Sequence, residues 1–339
     1  VNWSASSGGA GGASVPTSAD NVFFDANSNV GTGAFTVTMA NTPRVCRDFT
    51  ASGLDGAMTL AGSGIGLTVS GSLTFQATNF TRTYTSTTIF NSTTTSTVTT
   101  NGVLLGQVTF NGIGGSWSLG SALTTGTANT ITLTNGTLNL QSYTLSVGLF
   151  SSSNSNTRTI NFGTGDISCT GFNTVWDTAT NTGLTVTSTG TINFTNGLSK
   201  TLAGGGFSYD NVTINQGGAG SLFITGSNTF GNITNTRKST SATSILFSAG
   251  TTNTFTNWNA SGEATRLLTI GSSPAASHTL SKASGTVSAD FLSISRSSAT
   301  GGAGWYAGAN STDGGNNSGW IFTAPPAPSA GNGNFLMFF

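Results

Sequence analysis

Cleaving a glycan takes two carboxyl groups about 5 to 10 Å apart, one acting as an acid and the other as base or nucleophile. The chain has 339 residues and ten acidic side chains. Asp166, Asp177 and Asp210 lie in its middle, with Glu263 and Asp290 further along. No motif ties any of them to a partner. Asp is a common turn former, so the sequence reads them as turn residues and solvated charges. His278 is the only histidine and has no Gly-x-Ser-x-Gly phrase beside it, which leaves no hydrolase triad and makes it a polar surface residue. Cys46 and Cys169 are far apart and lack metal or redox spacing; they read as small buried hydrophobes. One histidine and two remote cysteines do not make a structural zinc site. The sequence therefore assigns no catalytic, metal-binding or cofactor-binding residue and predicts a protein that is not an enzyme. Aromatic faces could still stack on sugars without cleaving them. Trp117, Trp176 and Trp258 are candidates, and Trp305, Tyr306 and Trp320 near the end form a candidate glycan contact. The competing role for each ring is packing within the fold.

Any such site needs a scaffold, and composition restricts the choice. Charged residues make up 6% of the chain, against about 25% in an average soluble domain. Gly contributes 48 residues, and Ser, Thr and Asn dominate the polar remainder. That alphabet is poor for helices, whereas the Thr, Val, Ile and Phe between suit strands. With 35% hydrophobic residues and 22 Phe, there is material for a core. Ten basic residues balance ten acidic ones, so no electrostatic footprint for nucleic acid is present. No apolar run reaches the roughly 18 residues of a membrane span. The chain opens on Val1 rather than Met, which reads as a processed or incomplete N-terminus.

A short phrase organises the chain: Gly, polar, aliphatic, polar, apolar. It reads Gly71-Ser-Leu73-Thr-Phe75, Gly106-Gln-Val108-Thr-Phe110, Gly136-Thr-Leu138-Asn-Leu140, Gly165-Asp-Ile167-Ser-Cys169 and Gly190-Thr-Ile192-Asn-Phe194, with looser copies at Gly226, Gly250 and Gly285. Seven intervals cover the 214 residues from Gly71 to Gly285, a mean of about 31, in the range of solenoid repeats. The alternation within each phrase has the period of a strand, which turns Leu184, Val186, Ile192 and Phe194 inward. The predicted fold is all-β: a right-handed parallel β-helix, or β-solenoid, with irregular coils of about 24–36 residues and a C-terminal cap and tail. Each phrase-initial Gly is expected at a corner that needs positive φ or no side chain. Residues 1–45 form the N-terminal opening and first coils, 46–300 the solenoid, 301–322 a terminal coil or cap, and 323–339 a Pro/Gly linker with a hydrophobic peptide.

Asn2-Trp3-Ser4 and Val15-Pro-Thr-Ser-Ala-Asp20-Asn-Val-Phe-Phe-Asp25 resemble the openings of secreted bacterial β-helical surface proteins. A fuller resemblance, over nearly the whole chain, is to repetitive β-helical structural proteins of tailed bacteriophages. It is carried by Cys46-Arg-Asp-Phe-Thr-Ala-Ser-Gly-Leu-Asp-Gly56, Ser151-Ser-Ser-Asn-Ser-Asn-Thr-Arg-Thr-Ile160, Gly226-Ser-Asn-Thr-Phe-Gly-Asn-Ile-Thr234, and Gly304-Trp-Tyr-Ala-Gly-Ala-Asn-Ser-Thr-Asp-Gly314 with Gly319-Trp-Ile-Phe322. The resemblance implies an extracellular virion fibre and supplies no catalytic residues.

The chain ends Phe335-Leu336-Met337-Phe338-Phe339, too short to cross a bilayer and strongly apolar. These five residues are read as an assembly element that plugs into a neighbouring subunit or folds back on the last coil. The expected function is a structural rod on a virion surface. Its expected partners are its own copies, as a trimer or a head-to-tail filament, or another virion protein. An adhesin or receptor-binding fibre contacting a host surface glycan is the alternative, on a virion or a bacterial cell surface, and a glycan depolymerase the third reading.

Overall fold

In the computed structural model, residues 3–28, 33–39, 44–64, 66–215, 217–236 and 242–327 are described. They are almost entirely β, with parallel strands stacked as a β-solenoid of about 12 turns. The early turns each contribute a strand to three faces, whereas the turns from Lys200 to Asn259 contribute two strands each, one short and one long. The first face opens with Val22–Phe24, the second with Phe35–Thr38 and the third with Val45–Cys46. The next turn repeats the order with Phe49–Ala51, Met58–Ala61 and Leu67–Val69. Every strand pairs in parallel with its counterpart one turn away, so equivalent side chains stack.

On the second face the stack reads Leu123, Leu145, Ile167, Ile192, Val212, Ile233 and Trp258. On the third it reads Ile131, Phe150, Trp176, Leu202, Ile224 and Phe247. Nearly all of these are fully buried, because period-two alternation sends them inward while Thr, Ser and Asn between them face solvent. Ile192 and Phe194 are completely buried and Leu184 nearly so, whereas Val186 is half-buried. Aromatic rings make a second column along the axis. Phe150 stacks on Trp176 at 4.6 Å between centroids, and contacts of 5.4 to 6.1 Å continue through Tyr209, Phe230 and Phe255.

The coils run from the short end of the expected 24–36 residues to below it. Paired positions are 27 residues apart between Val22 and Phe49, 25 between Ile167 and Ile192, and 20 between Ile192 and Val212. They close to 18 between Val287 and Trp305 and 15 between Trp305 and Trp320. The repeated phrase marks the start of a strand on any face, which explains the overestimate. Leu73 lies on the first face, Val108 on the third, Leu138 on the first and Ile167 on the second. Counting phrase to phrase therefore often adds a face to a turn. Stacked turns also extend from Val22–Phe24 to Trp320–Ile321, so the stretches 1–45 and 301–322 both contain turns of the one stack.

The phrase-initial glycines are needed for two different reasons. Gly136 adopts φ +85°, in the left-handed region. Gly190 has no such φ, but a Cβ there would lie 2.1 Å from the Gly165 carbonyl oxygen of the turn before. Gly190→Ala is expected to cost about 1–3 kcal/mol by forcing two backbones apart. Gly217→Ala, where a Cβ meets nothing within 4 Å, is expected to stay within about 0.5 kcal/mol. Urea denaturation midpoints of the two variants check the contrast.

Candidate functional site

Several of the carboxylates accept hydrogen bonds at the corners between strands. Asp48 accepts a hydrogen bond from the Ser72 amide of the following turn at 2.7 Å, and Asp166 accepts one from the Thr191 amide at 2.7 Å. Asp290 accepts the Asn310 amide at 3.0 Å, the Asn310 side-chain Nδ2 at 2.8 Å and its neighbour's Phe291 amide at 2.9 Å. Burial alone would raise the Asp290 pKa, but the donors from Asn310 and Phe291 outweigh it and hold the carboxyl below its ordinary value. Asp177 accepts the Ala179 amide at 3.2 Å, Asp210 accepts Asn211 Nδ2 at 2.8 Å, and Glu263 lies in a tight backbone exchange with Arg266. A general acid needs its pKa raised; hydrogen bonds push Asp290 the other way.

Five of the six tryptophans are inside, and Trp3 is half-buried. Trp117 and Trp176 are fully buried, and Trp258, Trp305 and Trp320 are 5%, 1% and 9% exposed. Trp305 and Trp320 therefore offer no ring face to a sugar, which corrects their reading as glycan contacts; Tyr306 is half-buried. Short terminal turns explain the correction. As the coil narrows to 18 and then 15 residues, single large rings fill its cross-section. Trp305 packs edge-on against Trp320 at 5.1 Å and Trp258 at 6.2 Å. Their indole N–H groups donate to the Thr300 carbonyl, Ser297 Oγ and, from Trp258, the Ala260 carbonyl. The exposed rings are others: Phe23, Tyr143 and Phe172. Phe335, Leu336, Met337, Phe338 and Phe339 lie outside the described residues.

His278 is 1% exposed, not a surface residue. It occupies an inward slot of the strand His278–Ser281, stacks on Phe247 at 4.9 Å between centroids, and holds Nδ1 2.6 Å from Ser272 Oγ. Its Nε2 is buried without a hydrogen-bond partner. Ser272 is half-buried and His278 fully buried, and burial pulls the imidazole pKa down to about 4. Both thiols are buried as expected. Desolvation pushes Cys46 and Cys169 up to about 12, so neither is a thiolate near neutrality. Burial also lowers Lys200, on the third face, to about 8, with Cys169 acting in the opposite direction.

Arg158, inside the phrase from Ser151 to Ile160, is heavily bonded. It is 1% exposed, and all five guanidinium N–H donors are used. Nε donates to Ser152 Oγ at 3.0 Å, Nη1 to the Asn156 and Thr182 carbonyls at 2.5 and 2.8 Å, and Nη2 to the Ser152 and Thr180 carbonyls at 2.7 and 2.8 Å. The group joins the corners of two consecutive turns. An inward Arg in an apolar column gives no sign of this from spacing alone, because its acceptors are backbone carbonyls.

Among the described residues no group of three or more His, Cys, Asp or Glu side chains could hold a metal ion, and no helix is long and apolar enough to cross a membrane. Stack, corners and core together define the class as a parallel β-solenoid whose polar side chains knit its own turns. No protein family, curated protein or solved structure matches the chain.

Two outcomes are expected. Arg158→Lys keeps the charge but offers three donors for five acceptor contacts, and should lower unfolding free energy by about 2–4 kcal/mol in urea titrations. For His278, the unfolded chain takes up a proton near the ordinary value of about 6.5 while the folded chain resists until about 4. Stability should therefore be complete above about pH 6.5 and fall by about 3 kcal/mol as pH drops towards 4. Thermal melts should show that slope, and His278→Gln should flatten it.

Proposed function

We propose that the chain is a non-enzymatic structural rod of an extracellular fibre, that the fibre belongs to a bacteriophage particle, and that the rod assembles through its ends. One observation carries the reading: the strongest polar chemistry, that of Arg158 and the corner carboxylates, is spent on neighbouring turns of the same chain. Much of the outer surface is given to uncharged rows. On the first face one row runs Thr95, Ser116, Thr137, Thr159 and Thr185, and beside it another runs Thr97, Ser118, Asn139, Asn161 and Thr187. Such rows hydrate well and depend little on salt, which suits a part exposed to varying surroundings. The virion assignment rests on the resemblance of the phrases quoted above to those of phage β-helical structural proteins.

An adhesin or receptor-binding fibre is the second reading. It is favoured by the exposed Tyr143 and Phe172, 37% and 44% accessible, which could stack on a host glycan.

Density-gradient fractionation of a lysate from a host carrying the gene tests the first reading. The chain should band with intact particles, and recovery solely in the soluble host fraction would overturn the virion assignment. The isolated chain should release no reducing sugar from bacterial surface polysaccharides; release would overturn the non-enzymatic reading. Saturable retention on a glycan array, lost on Tyr143→Ala or Phe172→Ala, would move the adhesin reading ahead.

A further inference from the structure

The three faces of the rod differ in what they turn outward. On the first face the two rows described above are polar, and on the second the outward row reads Thr124, Ser146, Ser168, Asn193, Thr213 and Thr234. The third face breaks this rule. Over the ten paired strands from Thr88–Phe90 to Leu292–Ile294, four outward positions carry large apolar side chains: Ile89, Leu149, Phe223 and Leu246. Strand alternation fixes their direction. Ile89 sits between Thr88 and Phe90, Phe223 between Leu222 and Ile224, and Leu246 between Ile245 and Phe247, and all six of these neighbours are fully buried. Leu149 likewise precedes the fully buried Phe150.

Two further residues extend the patch. Phe172 and Leu198, 44% and 58% exposed, stand one turn apart at the corner that leads into this face, where Asn173 pairs with Lys200. Phe223 and Leu246 are paired neighbours, and Leu246 leans towards the bare Gly271 of the next turn, where an added Cβ would lie 3.3 Å from its Cδ2. Apolar side chains grouped on one face mark a contact surface. Charge and area indicate what makes the contact. These ten strands show one outward charge, Asp177, while Lys200 is fully buried, so a strongly basic or acidic partner finds little to pair with. Ten strands at about 4.8 Å spacing, each about 13–16 Å long, make a face of roughly 600–800 Å², close to the roughly 800 Å² that each partner buries in a standard interface. The same face of a second copy is equally uncharged and carries the same turn-to-turn spacing, so ridges on one match grooves on the other along its length.

We infer that the third face is a side-to-side interface between two copies of this chain, with Phe223 and Leu246 inside the contact. Both copies use the same surface, so the contact is isologous and closes as a two-fold dimer. It goes beyond the end-to-end reading and does not depend on it, because this face runs along the side of the rod.

Sedimentation velocity on the full-length chain tests it. The intact chain should dimerise reversibly. Phe223→Thr combined with Leu246→Thr should weaken association at least tenfold and leave the far-UV circular dichroism unchanged, since both positions face away from the core. Phe23→Thr, at a 59% exposed position on the first face, should leave association as it is. Disulfide trapping locates the contact independently. Thr201→Cys, in the outward row of Phe223, should give a covalent dimer under mild oxidation, and Ser168→Cys on the second face should not. Equal trapping at the two positions would overturn the interface. So would association that survives the double substitution, which leaves the ends of the rod as the contact and the end-to-end reading standing. A chain that stays monomeric at every concentration would overturn it in favour of a different protein on this face. Dimers that form only after residues 328–339 are removed would overturn it in favour of that segment as the cover.

Discussion

The hydrogen bond between one turn and the next is the interaction on which the rest of this protein depends. A single turn of two or three strands has an apolar inside and nothing of its own to bury it against. Only when its amides and carbonyls pair with neighbouring turns does the inside become a core, and parallel pairing then places like residue on like. Register is tightly specified, since a slip of one residue would turn every inward side chain outward. The corners protect that register. Asp48, Asp166 and Asp290 each accept an amide of the following turn, and Arg158 gathers carbonyls from two turns at once.

The same constraint accounts for the unusual composition. Charged side chains have few useful places on such a stack: inside they demand complete satisfaction, as Arg158 obtains, and outside they repeat at close spacing along each row. Small hydroxyl and amide side chains tolerate that spacing and bond along it. Asn139 donates to Ser116 at 3.0 Å and Asn232 donates to Asn211 at 2.7 Å, each one turn away. A surface made this way presents few of the charged or acidic clusters from which catalytic centres are built.

Much of this was legible in the residues, and the failures are instructive. Alternation around Ile192 and Phe194 correctly located the inside, because strand period is a local property. Coil length was misjudged because the Gly-led phrase reports the start of a strand, not the completion of a turn, and Leu73, Val108 and Ile167 start strands on different faces. Trp305 and Trp320 looked available to a sugar because nothing local announces that the last turns narrow. His278 looked like a surface residue because a polar identity was weighed more heavily than its position, one alternation step from Leu280 in an inward row. Arg158 escaped notice because carbonyl acceptors leave no mark in a sequence.

The connection of turn to turn has a mechanical side. Because the chain enters at one end of the stack and leaves at the other, tension applied to its termini acts on the outermost turn first and peels the turns in succession. A turn of about 23 residues occupies roughly 4.8 Å of rod but pays out close to 80 Å of extended chain. Each peeled turn thus lengthens its own share of the tether about sixteenfold and dissipates the work of one rung of hydrogen bonds. The turns still stacked keep their neighbours and their register. Under sudden load the molecule would yield by increments, as a ripping seam does, with each increment recoverable by restacking on the turn below.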